Sequence, residues 1–254
     1  MTTALITGAT AGIGAAFADR FAAKRFHLVL VARGETRLAA AAEQLLAAGA
    51  AEVETLSADL ATEAGRAAVE ARLAATEQPV DILVNNAGFG LNTPFRRSTI
   101  EEEERLLDVL VRAVLRLTHA AVPGMVERGR GAVINVSSMA GFAPRGSYSA
   151  AKSWVTVFSE SVSAELEGTG VRCMAVCPGF THTEFHERAG IDTKDIPSIL
   201  WLTVDQIVDG ALRDLARGLP VSIPGVQYKV LAAASRYVPR SLVKRAGRGV
   251  SKRW

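Results

Sequence analysis

Short apolar runs rich in β-branched residues alternate with stretches of helical spacing along most of this chain. The runs predict strands over residues 4–7, 28–31, 53–60, 81–88, 132–136, 171–177 and 220–223. The stretches between them predict helices over residues 15–26, 35–48, 62–77, 101–127, 148–167 and 203–217. Strands that alternate with helices pair in parallel through right-handed crossovers, which places helices on both faces of the sheet. The alternation therefore predicts an α/β fold of three layers.

Size and composition are those of one folded domain, residues 1–254. The chain has 49% hydrophobic and 22% charged residues, enough to bury a full core. Its start, M-T-T-A-L-I-T-G, has no basic segment followed by an apolar one. No run approaches the roughly 20 apolar residues that span a bilayer. We therefore expect a single-domain, cytoplasmic protein.

The two cysteines are not expected to form a disulfide. Cys173 and Cys177 lie four residues apart in one predicted strand. Their α-carbons would then be about 13 Å apart, beyond the reach of a disulfide. We interpret both as buried thiols.

The excess positive charge, +3 overall, lies in the C-terminal tail of about residues 228–254. No acidic residue follows Asp214, whereas basic residues recur through the tail: Arg236, Arg240, Lys244, Arg245, Arg248, Lys252 and Arg253. Apolar residues between these charges allow two interpretations. The tail is a solvated terminal helix that covers the subunit, or it makes a peripheral contact with an anionic membrane surface. No nucleic-acid partner is expected.

A glycine-rich turn, T-G-A-T-A-G-I-G, joins the first predicted strand to the first helix. Gly8, Gly12 and Gly14 would let the backbone approach a pyrophosphate at the helix N-terminus, where free N–H groups and the helix dipole favour anions. Their G-x-x-x-G-x-G spacing differs from the G-x-G-x-x-G dinucleotide fingerprint. The position of the turn between a strand and a helix still favours a bound nucleotide.

Arg33 follows the second predicted strand, where an acidic residue would bind the ribose 2′-hydroxyl of NAD. An arginine at this point accommodates the 2′-phosphate of NADP. Because no carboxylate ends this strand, NADP(H) is the expected cofactor and NAD(H) is the alternative. The other interpretation of Arg33 is a solvated turn residue.

Polar side chains end or follow two further strands. Asp59 could meet the adenine edge of a nucleotide, or it could cap the next helix. Asn85 and Asn86 end a strand that is otherwise apolar. Because buried amides need hydrogen-bond partners, we expect these two residues to bridge strands and cofactor.

Residues 131–152 contain the side chains with the most chemistry. Ser138 follows a predicted buried strand, and Tyr148 and Lys152 lie four apart on a predicted helix, so they share a face. A phenol has a pKa of about 10, and an ammonium one turn away favours the phenolate and lowers that pKa. The pair predicts a tyrosine acid or base, with Ser138 bonded to the same substrate oxygen. The alternative is a surface tyrosine beside a solvated lysine.

Residues 181–202 mix apolar and charged side chains, and we predict a mobile lid over an apolar substrate. His182 and His186 are four apart, but no third ligand is evident, so no metal site is predicted. The acidic run 101–104 follows Ser98 and Thr99 at capping-box spacing. We interpret that run as the start of a helix.

Five elements resemble the short-chain dehydrogenase/reductase family across nearly the whole chain: T-G-A-T-A-G-I-G, N-N-A-G, a serine at a strand end, Y-x-x-x-K and P-G, in this order. The resemblance implies a Rossmann-type fold with a seven-stranded parallel sheet and a nicotinamide cofactor. It also implies a catalytic group of Ser138, Tyr148 and Lys152: the serine orients the substrate oxygen, the tyrosine is the general acid or base, and the lysine lowers its pKa and holds the nicotinamide ribose. The implied cofactor contacts are Gly8, Thr10, Gly12, Ile13, Gly14, Arg33, Asp59, Leu60, Asn86, Ala87, Gly88, Tyr148, Lys152, Pro178, Gly179, Phe180 and Thr183.

Leu110 departs from the family pattern, because an asparagine usually stands there and completes a catalytic tetrad. A leucine side chain cannot hold the water of a proton relay. The implied function is an oxidoreductase that interconverts a carbonyl and a secondary alcohol on an apolar or amphipathic substrate. The alternative, which Leu110 supports, is a catalytically degenerate nucleotide-binding sensor or interaction protein on the same fold. The presence of Ser138, Tyr148 and Lys152 favours the enzyme.

The predicted helix 101–127 is apolar on more than one side, and Trp154 and Phe158 flank the helix face that carries Tyr148. A helix with two apolar stripes must bury the second one somewhere. We therefore expect a homodimer or homotetramer.

Overall fold

A parallel sheet organises the computed structural model, which describes residues 1–91, 93–144, 146–185 and 196–237. The strands are β1 Thr3–Thr7, β2 His27–Ala32, β3 Glu52–Ser57, β4 Ile82–Asn85, β5 Gly131–Val136, β6 Val171–Val176 and β7 Val221–Ser222. The α-helices are α1 Gly12–Ala22, α2 Glu35–Ala47, α3 Glu63–Ala74, α4 Ile100–Leu107, α5 Ala113–Glu127, α6 Gly146–Glu165, α7 Val204–Ala216 and α8 Val226–Tyr237. A π-helical turn, Asp108–Arg112, joins α4 to α5, and short 3₁₀-helices span Met139–Phe142 and Ser198–Leu200.

The strand order is β3-β2-β1-β4-β5-β6-β7, and every neighbouring pair is parallel. This confirms the predicted three-layer, Rossmann-type fold with seven parallel strands. The chain runs outward from β1 to β3 and then crosses back to β4. In open α/β sheets, ligands bind outside the carboxyl ends of the strands at such a switch point.

Two strands end three residues earlier than the sequence predicted. β3 stops at Ser57 and β4 stops at Asn85, so Asp59 and residues 86–88 lie in loops beyond the strand ends. The reason at β4 is a side chain. The backbone N–H groups of Asn86 and Ala87 both donate to Thr7 Oγ1, at 3.0 Å each, instead of continuing the strand ladder.

Alternate residues of the central strand enter two different cores. Ile6 of β1 packs with Phe17 and Phe21 of α1 on one face of the sheet. Leu5 packs with Leu117 of α5 on the other face. Because helices cover both faces, the loops at the strand ends start from a backbone that is fixed on two sides.

The predicted long helix is interrupted at the π-helical turn. Its start is a capping box, as predicted: Thr99 Oγ1 accepts from Glu102 N at 3.3 Å, and the Glu102 carboxylate accepts from Thr99 N at 3.0 Å. By length and composition the stretch Ile100–Glu127 could cross a membrane. In the fold, its inner face is core, because Leu106 and Leu117 are fully buried.

Cys173 and Cys177 are both free and buried, which confirms the sequence prediction. Burial raises the pKa of the Cys173 thiol to about 12 and that of Cys177 to about 11. Both thiols therefore stay protonated at neutral pH.

Candidate active site

A cavity of about 490 Å³ opens at the carboxyl ends of the central strands. Most of the predicted site residues line it: Gly8, Thr10, Gly12, Ile13, Arg33, Asp59, Leu60, Asn86, Ala87, Gly88, Ser138, Tyr148, Lys152, Pro178, Gly179 and Thr183. Gly14 and Phe180, which were predicted as cofactor contacts, are not part of this lining. Below, the arginine-lined end means the part of the cavity at Arg33, Arg37 and Arg105, and the loop-lined end means the part at residues 178–185.

Backbone geometry explains the glycines of the first turn. Gly8 has φ +65° and Gly12 has φ +57°, in the left-handed region that glycine adopts without strain. A Cβ at Gly14 would lie 2.4 Å from Gly8 O and 2.4 Å from Asn86 Nδ2. Gly14 thus lets α1 pack closely on the turn, and this accounts for its position outside the cavity wall.

The N-terminus of α1 is open to the cavity. No side chain caps the helix at Ala11, and the next residues, Gly12 and Ile13, line the cavity. Uncapped N–H groups and the helix dipole together favour an anion. Thr183 lies over this end, since a Cβ at Gly12 would be 3.1 Å from Thr183 Cγ2. The turn therefore fits the pyrophosphate of a dinucleotide.

The two asparagines after β4 have different roles. Asn86 Nδ2 donates to Thr7 O at 2.9 Å and to Gly8 O at 3.1 Å, which fixes the glycine turn from the next strand. Asn85 Nδ2 donates to Asn135 Oδ1 at 2.8 Å and to Thr118 Oγ1 at 3.2 Å. Both asparagines therefore bridge strands, as predicted, but only Asn86 lines the cavity.

Three arginines line the arginine-lined end together with Asp59. Arg105 of α4 donates to Asp59 Oδ2 at 2.9 Å, and Ala61 N donates to Asp59 Oδ1 at 3.0 Å. Partial burial disfavours the charged form of Asp59, but these hydrogen bonds and the charge of Arg33 outweigh it and hold its pKa below the usual value. The alternative role of Asp59, capping α3, belongs instead to Thr62, whose Oγ1 accepts from Gly65 N at 3.0 Å.

Sequence reasoning missed two of these arginines. Arg37 lies in the first turn of α2, four residues after Arg33, and its closeness to Arg33 in the sequence was a usable signal. Arg105 offered no such signal, because it comes from a helix 46 residues beyond its partner Asp59.

Ser138, Tyr148 and Lys152 come together where β5 ends and α6 begins, and all three line the cavity. Ser138 caps the 3₁₀-helix, accepting from Ala140 N at 3.1 Å. Lys152 is 4% exposed, and its Nζ donates to Val136 O at 2.7 Å. Ser137 Oγ donates to the backbone carbonyl of Lys152 at 2.6 Å, which ties α6 to the end of β5.

The protonation of the tyrosine differs from the expectation. Burial raises the pKa of Tyr148 to about 12, although a hydrogen bond with Ser138 acts in the opposite direction. Burial also lowers the pKa of Lys152 to about 8. The lysine does not offset the burial of the phenol, because with a pKa of about 8 it has lost its own proton before a phenol with a pKa of about 12 ionises. Among the protein's own groups, Tyr148 therefore keeps its proton.

Leu110 lies in the π-helical turn directly behind this group. It is fully buried in an apolar cluster with Leu106, Val109 and Ala151. A Cβ on Gly88 would lie 3.0 Å from Leu110 Cδ2 and 3.8 Å from Lys152 Nζ, so the leucine and the lysine flank the same glycine. Leu110 thus fills space next to the lysine with carbon.

The Phe185 ring lines the loop-lined end, and further aromatic rings pack beside it in the same segment. The Phe185 ring lies 5.8 Å from the Tyr148 ring, and Trp201 stacks on His182 at 4.5 Å and contacts Phe180 at 5.8 Å. The predicted lid is thus described at both of its ends, whereas His186 and the rest of 186–195 lie outside the described residues. Within the described ranges, no group of three or more His, Cys, Asp or Glu side chains is placed to hold a metal.

Comparison with known proteins gives a consistent result. The family described as short chain dehydrogenase matches residues 2–193. The NADP-dependent 3-hydroxy acid dehydrogenase of Salmonella typhi is 36% identical over 186 residues, 71% of this chain and 73% of the relative. An uncharacterised oxidoreductase of Myxococcus xanthus is 32% identical over 254 residues, 97% of this chain and 96% of the relative.

Solved structures resemble the chain over nearly its whole length. A short-chain dehydrogenase from Sphingobium yanoikuyae in complex with NADPH has a TM-score of 0.85 and 40% identity, covering 93% of this chain and 94% of the other. The bulky-bulky ketone specific alcohol dehydrogenase from Comamonas testosteroni has a TM-score of 0.81 and 31% identity, covering 100% and 95%.

Proposed function

The chain belongs to the short-chain dehydrogenase family, and from that premise we propose that it interconverts a carbonyl and a secondary alcohol on an apolar or amphipathic substrate. Its relatives are named dehydrogenases and reductases. The NADP-dependent relative and the structure in complex with NADPH support NADP(H) as the cofactor. The observation that carries the proposal is the convergence of Ser138, Tyr148 and Lys152 in one cavity with an uncapped helix N-terminus.

The residues at the cavity fit NADP(H). The glycine turn and the N-terminus of α1 would hold the pyrophosphate, and Arg33 and Arg37 would hold the 2′-phosphate through charge-assisted hydrogen bonds. Lys152 would hold the nicotinamide ribose. When bound, NADP(H) supplies or accepts the hydride.

Tyr148 supplies the proton that carbonyl reduction consumes. Because burial raises its pKa to about 12, the Tyr148 hydroxyl is protonated across the neutral range and can donate to the carbonyl oxygen as the carbon receives hydride. Ser138 Oγ orients that oxygen by a hydrogen bond. In the reverse direction Tyr148 must first lose its own proton, and its phenolate then takes the proton of the alcohol oxygen.

The substrate class is argued from the walls around Tyr148. Phe89, Val109 and Phe185 line the cavity there, and the Phe185 ring lies 5.8 Å from the Tyr148 ring. Apolar walls with few polar groups favour an apolar or amphipathic ligand. The relative that is named for bulky ketones supports the same class.

The test follows NADPH absorbance with acetophenone, cyclohexanone, menadione and acetoacetyl-coenzyme A, and runs the matching alcohols with NADP⁺ in reverse. We expect turnover of at least one apolar ketone by the wild-type protein and none by Tyr148→Phe. Turnover that survives intact in Tyr148→Phe contradicts the assignment of the proton donor.

A nucleotide-binding sensor is the second candidate, and Leu110 is the observation that favours it. A sensor would bind NADPH and turn over none of the panel. Isothermal titration with NADPH, run beside the absorbance assay, separates the two candidates.

We also propose a homo-oligomer, a dimer or tetramer, built on α4, α5 and α6. Leu107 and Leu115 are 46% and 43% exposed, and Val157 of α6 is 58% exposed beside the stacked Trp154 and Phe158 rings. Exposed apolar faces on neighbouring helices favour burial against a second copy. Light scattering at micromolar concentration tests this, and a monomeric mass contradicts it.

Cytoplasmic localisation stays a proposal, supported by two free cysteines and checked by cell fractionation. The membrane interpretation of the basic tail stays a prediction as well, because residues 238–254 lie outside the described residues. Cosedimentation with anionic vesicles at low salt checks it.

A further inference from the structure

Tyr228 of α8 joins the two described ends of the chain segment between β6 and α7. These two limbs, residues 178–185 and 196–202, are the base of what we call the substrate loop. Its hydroxyl accepts from Phe180 N at 2.9 Å and donates to Leu200 O at 2.6 Å. Phe180 lies where the loop leaves β6, and Leu200 lies where the chain returns toward α7. Tyr228 is 4% exposed, so both hydrogen bonds are partly shielded from water.

The tyrosine ring is as closely fitted as its hydroxyl. A Cβ at Gly179 would lie 1.9 to 2.4 Å from three atoms of the Tyr228 ring. Gly179 itself lines the cavity. The ring therefore supports the cavity wall from behind, at a glycine that has no room for a side chain.

Backbone contacts tie the same two limbs together. Leu202 N donates to Phe180 O at 2.9 Å, and His182 N donates to Leu202 O at 3.1 Å. Gln227, next to Tyr228 on α8, donates from Nε2 to Ile199 O at 3.1 Å. The base of the loop is thus one hydrogen-bonded unit fastened to α8.

This unit carries side chains that reach the reaction centre. Thr181, Thr183 and Phe185 line the cavity, and Phe185 lies 5.8 Å from the ring of Tyr148. Tyr228 is not part of the cavity wall, so it acts on the site only through the residues that it holds.

We propose that Tyr228 is a positioning residue for the reaction, which fixes the start and the end of the substrate loop so that Thr181, Thr183 and Phe185 face Tyr148. The inference rests on the proposed function. Tyr228 also packs in the core beneath β6. The proposed role differs from this packing role, because it assigns the placement of the loop side chains to the hydrogen bonds of the Tyr228 hydroxyl.

Tyr228→Phe is the test, because it keeps the ring and removes both hydrogen bonds. Hydrogen–deuterium exchange should show faster exchange by at least tenfold at the Phe180 amide and in residues 196–202, with β5 unchanged. The KM for the panel ketone that the wild type reduces fastest should rise by about five- to tenfold, with kcat within twofold. The dissociation constant of NADPH should change less than threefold, because most of its expected contacts, those of the glycine turn and the arginines, do not depend on Tyr228, whereas Gly179 and Thr183 do.

Ser222→Ala is the matched control for stability. Ser222 Oγ donates to the buried Asp214 at 2.7 Å, so the variant also loses a buried hydrogen bond, but away from the loop. If Tyr228→Phe and Ser222→Ala give the same loop exchange and the same KM, the positioning role is wrong. Gln227→Ala should also raise the KM and the exchange in residues 196–202, by less than Tyr228→Phe does. If Tyr228→Phe does not fold, Gln227→Ala decides whether fastening the loop to α8 sets the KM.

The two proposals fail in different ways. Wild-type protein that binds no NADPH and reduces no panel ketone refutes the proposed function, and the loop is then judged by exchange alone. Wild-type protein that is active, with Tyr228→Phe indistinguishable from it, refutes the role of Tyr228.

Discussion

At the arginine-lined end of the cavity and the adjoining glycine turn, the functional residues follow strand ends or lie on helices packed beside the sheet, whereas at the loop-lined end they lie on a chain segment that is hydrogen-bonded to α8. The first end is fixed at the edge of the sheet: Gly8 and Gly12 turn the backbone at positive φ after β1, and Asn86, at the end of the neighbouring β4, bonds this turn. The second end is fixed by a helix outside the sheet, since the Tyr228 hydroxyl of α8 bonds both Phe180 and Leu200. One half of the cavity is thus held at the edge of the sheet, as suits binding of the cofactor. The shape of the other half depends on hydrogen bonds from α8, as suits recognition of a particular substrate.

The largest expected effect separates chemistry from binding. Tyr148→Phe should lower turnover by about 10³-fold or more, because the proton donor is lost. NADPH affinity should stay within about twofold, since the arginine-lined end is untouched. Stopped-flow absorbance and isothermal titration measure the two quantities. A parallel loss of both would show that the two ends are not independent.

Arg33→Ala should act at the opposite end. Loss of a charge-assisted phosphate contact weakens NADPH binding by about 1.5 to 3 kcal/mol, roughly 10- to 150-fold, and leaves NADH binding nearly unchanged. Fluorescence titration with both cofactors measures this. Arg37→Ala is the control, because it shows whether the second guanidinium shares the phosphate. Equal wild-type affinities for NADPH and NADH would contradict the prediction.

The buried lysine gives a pH prediction. The pKa of Lys152 is lowered from its unfolded value of about 10.5 to about 8 in the fold. Between these values the unfolded chain binds the proton and the folded chain does not, so the free energy of unfolding rises with pH from about 8 to 10. We expect Lys152 to contribute a gain on the order of 2 kcal/mol over this interval, measured as the difference between the wild type and Lys152→Met, because the buried thiols of Cys173 and Cys177 act in the opposite direction in both proteins. Urea titrations at both pH values test it, and Lys152→Met, which cannot titrate, should lack that gain.

Arg105→Gln tests whether Arg105, at the arginine-lined end, orients Asp59 or binds the 2′-phosphate. The Asp59–Arg105 pair is partly exposed, with side chains 32% and 44% accessible, so breaking it should cost about 1 kcal/mol or less. We expect NADPH and NADH to weaken equally, by about two- to fivefold, because Asp59 loses its orientation but the 2′-phosphate contact stays. A loss confined to NADPH would instead make Arg105 a phosphate ligand.

The sequence predicted the features that depend on local patterns of residues. Alternating strands and helices gave the seven-stranded parallel sheet, and the spacing of Tyr148 and Lys152 placed them at one cavity wall. It did not predict contacts made across the fold. Arg105 meets Asp59 from 46 residues away, and Tyr228 meets Phe180 from 48 residues away. The predicted lowering of the Tyr148 pKa was also wrong, because burial raises that pKa. Burial depends on every element packed around the phenol, and the spacing of Tyr148 and Lys152 on one helix does not reveal it.

The smallest expected effect on turnover concerns Leu110. In the family that the chain belongs to, an asparagine at this position takes part in a proton relay, yet here a leucine fills the space beside Gly88 and Lys152 with carbon. Hydride transfer and the proton of Tyr148 do not involve this side chain, so Leu110→Asn should keep turnover within about threefold. Its cost should appear in stability: an amide placed among Leu106, Val109 and Ala151 lowers the free energy of unfolding by about 1 to 3 kcal/mol unless it finds partners.

Leu110→Val is the matched control, because it shortens the side chain without adding a polar group. Thermal melts and solvent isotope effects on both variants separate packing from proton transfer. A several-fold rate increase in Leu110→Asn, together with a smaller solvent isotope effect, would mean that proton resupply limits the wild type. Unchanged kinetics with a lower melting temperature would mean that leucine is there to pack the π-helical turn against the lysine, and that the proton of Tyr148 is replaced by a route that does not pass through residue 110.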